Sequence, residues 1–370
     1  MGDMITFWVA FSYVPGVGSA RISRLLDAFG DLECAWQADA RELRAAGMGP
    51  KTIEAILRVR SSLNLDQAVR RLEQQGIDIL PFVSDHYPER LLQIQGPPAC
   101  LYLKGELLGI DQQAVAVVGT RRPSSYGKMI TEHMVEELAT MGLTIISGLA
   151  RGIDGIAHRA ALDADGRTLA ILGSGIDLIY PSEHRKLAEE VSKQGALLSE
   201  YPPGTAPEGH HFPARNRIIA GLARAVVVVE AAERSGALIT ADFAADQGKD
   251  VFAVPGDINR KTSGGTNRLI QDGAHALLEA KDVIDVLHFS AEGREEELQA
   301  DLPEDKVQLA LLEYLEEEPA HIDELYQKTG LPIHEIQAAL SLLELRGTIK
   351  TLGGMQYLRV REERISYCVD

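Results

Sequence analysis

Three cysteines in 370 residues, Cys34, Cys100 and Cys368, are odd in number and far apart, and none stands at the spacing of a zinc ligand set. They exclude a disulfide frame and fit a reducing compartment. Also lacking is any run near the roughly 18 apolar residues that a membrane span requires. The apolar start at residues 5–14 has no basic leader and no small-residue cleavage site, so the chain is expected to stay in the cytoplasm, without membrane contact. Cations are in deficit as well, at a net charge of −17. That argues at first sight against nucleic acid, because phosphate binding needs Lys and Arg to displace counterions. The signature loops of common catalysts are missing too: no nucleophile elbow, no Walker loop with its Gly-Lys-Ser/Thr, no G-x-G-x-x-G fingerprint and no acidic metal cluster. No catalytic residue, no metal and no cofactor is therefore expected.

What is present is unevenly distributed. Between Lys281 and Glu318 thirteen Asp and Glu face only Lys281, Arg294 and Lys306, a local net charge of −10. From Val115 to Ala225 twelve Lys and Arg balance twelve Asp and Glu, and several of these cations stand in Gly-rich loops, where ligands usually bind. Local geometry rather than total charge decides the partner.

At 370 residues, 45% apolar and 25% charged, the chain is too long for one core and should divide into two or three domains. Residues 1–65 read as short amphipathic helices broken by two similar turns, Pro15-Gly16-Val17-Gly18 and Gly47-Met48-Gly49-Pro50. Such turns suit a helix-hairpin-helix or SAM-like domain, in which backbone N–H groups at a helix start hold a phosphate. They equally suit a tight helix-helix turn. Residues 65–109, with a helix at 66–75, an apolar run at 77–82 and the Pro-rich Gly96-Pro97-Pro98, read as an elaboration in front of a main sheet. Short apolar runs then recur at 114–118, 143–146, 168–172, 196–198, 225–229 and 251–254, separated by helical segments. Runs apolar on both faces and alternating with helices predict an α/β, doubly wound, Rossmann-like parallel sheet, placed here at residues 66–290. The acidic stretch 291–305 reads as a linker. Residues 306–370 follow with helices at 307–316, 322–328 and 333–346 and a hairpin at 348–358, a winged helix. Its third helix carries His334, Glu335, Gln337 and Glu344 against Arg346 alone, which favours a protein-contact or regulatory role over groove binding.

In an open parallel sheet ligands bind beyond the carboxyl ends of the strands. The first such loop holds Gly119, Thr120, Arg121 and Arg122, then Ser124 and Ser125, at a strand-to-helix turn suited to phosphate. The second, Ser147-Gly148-Leu-Ala-Arg151-Gly-Ile-Asp154, leads to His158. Asp154 and His158 stand four apart on one helical face, but a carboxylate favoured by the helix dipole explains Asp154 better than a metal or acid-base pair does. The third loop, Gly173-Ser-Gly175, leads through Asp177 to Tyr180, Pro181, Arg185 and Lys186. The fourth holds Phe212, Arg215, Asn216 and Arg217 at a helix start, where positive charge opposes the dipole unless an anion offsets it. The anion is either a bound phosphate or an acid such as Glu200 or Glu230. Together these cations line one sheet edge, with Tyr180 and Phe212 available for stacking, which suits a single nucleic-acid strand.

The ordered series Val118-Gly-Thr-Arg121, Ser147-Gly-Leu-Ala-Arg-Gly-Ile-Asp154 with Ala157-His158, Gly175-Ile-Asp177 with Tyr180-Pro181, Phe212-Pro-Ala-Arg-Asn-Arg-Ile-Ile-Ala-Gly221, Val229-Glu230-Ala231 with Ser235-Gly-Ala-Leu-Ile-Thr240, and Val254-Pro-Gly256 resembles the DNA-processing protein A (DprA/Smf) family. The resemblance covers roughly residues 65–280. It implies single-stranded DNA bound in a basic pocket of the Rossmann-like domain, delivery of that strand to the RecA recombinase during natural transformation, and homodimers formed through the same domain. By position it implies that Arg121 contacts phosphate, backed by Gly119, Ser147 and Gly148, with Arg215, Asn216 and Arg217 lining the pocket. Many relatives carry a Lys and then an Asn after Tyr-Pro; Ser182 and His184 stand here instead, leaving Arg185 or Lys186 as the replacement.

Two other readings compete. Nucleoside-monophosphate phosphoribohydrolases share a similar fold, but they use a Pro-Gly-Gly-x-Gly-Thr loop with a downstream glutamate. This chain has Ser235-Gly236-Ala-Leu-Ile-Thr240, and Glu230 precedes it. A pure scaffold, working through the acidic segment and the winged helix, is the third.

Overall fold

The computed structural model describes residues 2–289, 311, 314–315, 320–345, 349–353 and 356–359. The chain divides into two units, Met1–Ala291 and Glu292–Asp370.

The first unit begins with six helices: α1 (Gly2–Ser12), α2 (Ser19–Phe29), α3 (Leu32–Gln37), α4 (Ala40–Ala45), α5 (Pro50–Ser62) and α6 (Leu65–Gln75). Both glycine turns fall at helix starts, with Gly18 capping α2 and Gly49 capping α5, whose first residue is Pro50. Gly16 and Gly47 take φ of 78° and 80°, a region that only glycine enters without strain. Local polar groups fix two further starts: Asp31 accepts the Cys34 N–H, and Asp39 with Glu42 forms a capping box on α4. The helices bury Trp8, Phe11, Ile22, Leu25, Leu43 and Ile56 in a cluster that continues onto Tyr102, Leu172 and Leu187. Each such side chain contributes about 1.5–3 kcal/mol when fully buried. The helical bundle is thus fused to the sheet layer, and polar ties reinforce the join. The Ser12 and Tyr102 hydroxyls bond at 2.6 Å, the Tyr13 hydroxyl donates to the Pro203 carbonyl at 3.2 Å, and Arg71 pairs with Asp177 at 3.4 Å.

The strands are β1 (Asp78–Pro81), β2 (Cys100–Gly105), β3 (Ala114–Val118), β4 (Thr144–Ser147), β5 (Thr168–Leu172), β6 (Ala196–Ser199), β7 (Ala225–Val228), β8 (Asp250–Ala253) and β9 (His275–Ala276). They form one sheet in the order β1-β2-β6-β5-β4-β3-β7-β8-β9. The stretch from β6 to β9 is parallel, and all six apolar runs of the sequence lie in it. The segment expected as an elaboration ahead of the sheet instead extends it, β2 pairing antiparallel with β6 and β1 with β2. Pro81 is compatible with that position because an edge strand need not donate every N–H.

Helix α7 (Glu89–Leu92) precedes β2, the crossovers are α8 (Ser125–Thr140), α9 (Ile153–Asp163), α10 (Arg185–Gln194), α11 (His211–Leu222), α12 (Gly236–Asp246) and α13 (Gly264–Gln271), and α14 (Ala280–Leu287) follows the last strand. Alternation along β3 divides them between faces: Val115 and Val117 pack with α8, α9 and α14, and Ala114, Ala116 and Val118 with α7, α11 and α12. Strand order reverses between β3 and β7, so the loops leaving those two strands flank the topological switch point.

In the second unit α15 (Ile322–Thr329) and α16 (Ile333–Leu345) pack with a three-stranded sheet, β10 (Ala320–His321), β12 (Gln356–Arg359) and β11 (Ile349–Gly353), in the order β10-β12-β11. Leu311, Leu315, Leu325, Ile336, Leu340 and Ile349 make its core. The acidic segment 291–305, most of 307–316, Arg346 and the hairpin tip at Gly354 lie outside the described residues.

Candidate nucleic-acid interface

The loop after β3 is folded by contacts that leave its arginines outside. A Cβ on Gly119 would lie 2.6 Å from Ile153 Cγ1, so only glycine lets β3 meet the start of α9 so closely. The Thr120 N–H donates to the Glu230 carbonyl at 2.7 Å, and the Thr120 carbonyl accepts from the Ile153 N–H at 3.2 Å. Arg121 and Arg122 then emerge exposed. The α8 N-terminus, where the sequence offers serines to a phosphate, holds an internal anion instead. Glu230, only 2% exposed, accepts from the Ser124 N–H at 2.8 Å and the Ser124 hydroxyl at 2.6 Å. A Cβ on Gly127 would lie 2.5 Å from its carboxylate.

Arg121 lies over the Phe212 ring at 5.6 Å, and Phe212 meets Tyr180 at 5.6 Å between centroids. This row joins two loops and the first turn of α11. Arg121, Gly148, Arg151, Tyr180 and Phe212 line one small cleft. Arg121 also opens onto a broader groove of about 780 Å³, where Arg122, Lys128 and Arg159 face Glu132 and Asp163. Gly173 leaves the space that Phe212 fills, since a Cβ there would lie 2.9 Å from the ring. Gly175 lies against the Pro202 carbonyl in the same way, at 2.7 Å from a Cβ.

The cations differ in what they already hold. Among the described residues no carboxylate lies within ion-pairing distance of Arg121, Arg122, Arg185 or Lys186, and all four are exposed. Arg151 makes a two-pronged exposed pair with Glu183 at 2.5 and 3.0 Å. That bond raises the arginine pKa and lowers the glutamate's. Arg215 is 4% exposed and donates to the carbonyls of Gly148, at 2.8 Å, and Ile171. Burial pulls its pKa down to about 10 despite the opposing pull of Asp154. Asn216 donates to the Gly236 carbonyl at 3.2 Å, and Arg217 pairs with Glu200 at 2.6 Å. Neither side chain lines the cleft.

Beneath the cleft, Ser147 donates to the Val117 carbonyl at 2.6 Å. Asp154 accepts the N–H groups of Gly148 and Ala150 at 3.1 and 3.4 Å, while burial raises its pKa. His158 bonds through Nδ1 to the Thr168 hydroxyl at 2.7 Å. Burial, then His184 and Arg215, push its pKa down to about 3. The two side chains hold separate pieces of backbone and strand. His184, which the sequence offered only as a departure, bonds the Leu149 carbonyl at 2.9 Å and lines the broad groove.

Residues 78–288 match the family described as DNA recombination-mediator protein A, and residues 295–355 match the DprA winged helix domain. Protein Smf of Synechocystis is 36% identical over 95% of this chain and 98% of its own length. The DNA processing protein DprA of Bacillus subtilis is 44% identical over 60% of this chain and 75% of its own length. The X-ray structure of DprA from Streptococcus pneumoniae superposes with a TM-score of 0.66 at 34% identity, covering 76% of this chain and 97% of that one. DprA from Helicobacter pylori, whose structure is described for its single-stranded DNA binding mode, gives a TM-score of 0.52 at 32% identity, over 57% and 95% of the two chains. The Rossmann-like sheet and the C-terminal winged helix are thus both found in proteins similar to this chain.

Proposed function

The chain belongs to the DNA recombination-mediator protein A (DprA/Smf) family, and on that premise we propose that it holds single-stranded DNA around Arg121 and hands the strand to a RecA recombinase during natural transformation. The observation that carries the reading is the row of Arg121, Phe212 and Tyr180 beside exposed cations that make no close ion pair among the described residues. A single strand supplies phosphates for the cations and unpaired base faces for the rings, each stacked base contributing about 1–3 kcal/mol. Arg121, Arg122, Arg185 and Lys186 follow the backbone, and Arg151 joins them by releasing Glu183. Tyr180 and Phe212 receive bases. Gly148 lines the cleft itself, while Gly119, Thr120, Ser147, Gly173 and Gly175, with Arg215, Asn216 and Arg217, support it from behind through the contacts that hold the loops. Pairing of two chains through the sheet unit, and action in the cytoplasm, complete the proposal; no described helix is long and apolar enough to cross a membrane.

No catalytic step is assigned. The phosphoribohydrolase reading needs a glutamate at the ligand, whereas both Glu230 oxygens are engaged by Ser124 and the residue is buried. The test is fluorescence anisotropy of a labelled oligothymidine across salt concentrations. Log affinity falls with log salt by about 0.7 per phosphate for single strands, so four neutralising cations give a slope of roughly −3. Equal affinity for duplex DNA at matched salt would sink the proposal.

A further inference from the structure

The turn that enters α11 gathers side chains of a different chemistry from the arginine cleft. Glu208, His210 and His211 present a carboxylate oxygen and two imidazole nitrogens that all lie within 4.8 Å of one another. The His211 N–H donates to the Glu208 carbonyl at 3.0 Å, which closes the turn, and His210 Nδ1 lies 3.4 Å from Glu208 Oε2. An exposed ion pair explains little of this arrangement, because such a pair adds at most about 1 kcal/mol. It does not account for His211 at all. That residue is 9% exposed, its ring stacks on Tyr201 at 4.1 Å between centroids, and its Nδ1 is buried without a hydrogen-bond partner. A buried polar nitrogen left unsatisfied is unfavourable, and its presence calls for a partner.

We propose that Glu208, His210 and His211 form a binding site for a divalent transition-metal ion of the zinc class. Two imidazoles with one carboxylate suit zinc and its neighbours rather than magnesium or calcium, which take oxygen ligands. Stacking on Tyr201 restricts the His211 ring, and the closed turn sets the spacing of the other two ligands. Three protein ligands leave a position of a tetrahedral ion to water or an added anion. The site lies directly before Phe212 in the chain, yet it does not rest on the DNA reading, and its test contains no DNA.

The full chain, stripped with chelator and dialysed, is titrated calorimetrically with zinc chloride alone. The expected result is one saturable equivalent per chain, weakened at least about ten-fold in His210→Ala and again in Glu208→Gln, since affinity depends on ligand identity and count. His275→Ala, which removes an exposed histidine paired with Asp250 at 3.2 Å, leaves the affinity unchanged. His211 is not substituted, because its ring is part of the packing. Cobalt(II) in place of zinc gives a visible ligand-field spectrum that His210→Ala abolishes. No saturable zinc binding, or wild-type affinity in both His210→Ala and Glu208→Gln, overturns the assignment.

Discussion

Arg121 with Arg122 and Arg215 with Arg217 are two arginine pairs that the sequence places alike at strand-to-helix turns, but only the first stands in such a turn: α11 begins at His211, which puts Arg215 and Arg217 in its second turn. The first pair stands in solvent, Arg121 against an aromatic face and neither side chain paired with a carboxylate. The second is internal to the fold: Arg215 holds the Gly148 and Ile171 carbonyls, and Arg217 holds Glu200. The helix dipole, which acts within the first turn, is not what Arg215 and Arg217 answer to; a buried cation requires a counterpart, and here the counterpart is the protein itself. The pairs should therefore respond to substitution in different currencies, one in affinity and the other in stability.

The sharpest contrast comes from Arg215→Met. It removes the donor from two buried carbonyls and the cation facing buried Asp154, so unfolding free energy should fall by about 3–5 kcal/mol in urea denaturation. An unchanged midpoint with lost DNA binding would break the comparison, making Arg215 a ligand residue. The next effect lies in the same buried layer. His158 has an ordinary pKa of 6.5 and a folded value of about 3, so the unfolded chain binds a proton that the folded chain rejects. Stability from this group is complete above about pH 6.5 and falls by about 1.4 kcal/mol per pH unit as pH drops toward 3. His158→Gln should flatten that slope, as read from urea midpoints at pH 7 and pH 5.

Arg121→Ala should leave the thermal midpoint in place and weaken oligothymidine binding by roughly ten- to thirty-fold, with a salt slope shallower by about 0.7. Tyr180→Leu should cost less, about five-fold, and leave the salt slope alone, because it removes stacking rather than charge. If it changed the slope as much as Arg121→Ala, the division of labour between ring and cation would be wrong. Of about the same size is Arg217→Gln, which gives up a half-buried pair with Glu200 and should lower stability by about 1 kcal/mol without a comparable loss of oligothymidine binding.

The parallel sheet was legible because its strands are buried on both faces and read as unbroken apolar runs between helices. The two edges were less so: antiparallel Cys100–Gly105 follows a Pro-rich stretch, and parallel His275–Ala276 at the opposite edge is too short to carry a period. The loops of the candidate site were legible as loops, since Gly, Arg and Ser at strand ends mark them out. What sequence could not supply was the direction of each side chain. Arg121 and Arg215 have the same chemistry, and only burial tells them apart. Glu208, His210 and His211 went unnoticed because their spacing follows no metal-ligand pattern, and it is the closed turn that brings them together.

The carboxylate of Glu230 sits at the switch point of the sheet, against the first turn of α8, where this architecture ordinarily receives a nucleotide's phosphate. The chain's own carboxylate thus occupies that crevice and ties the first turn of α8 to the end of β7. Vacating it with Glu230→Gly would leave a carboxylate-shaped hole lined by the Ser124 donors, and millimolar formate in the buffer should then restore much of the lost thermal stability, as chemical rescue does for an excised side chain.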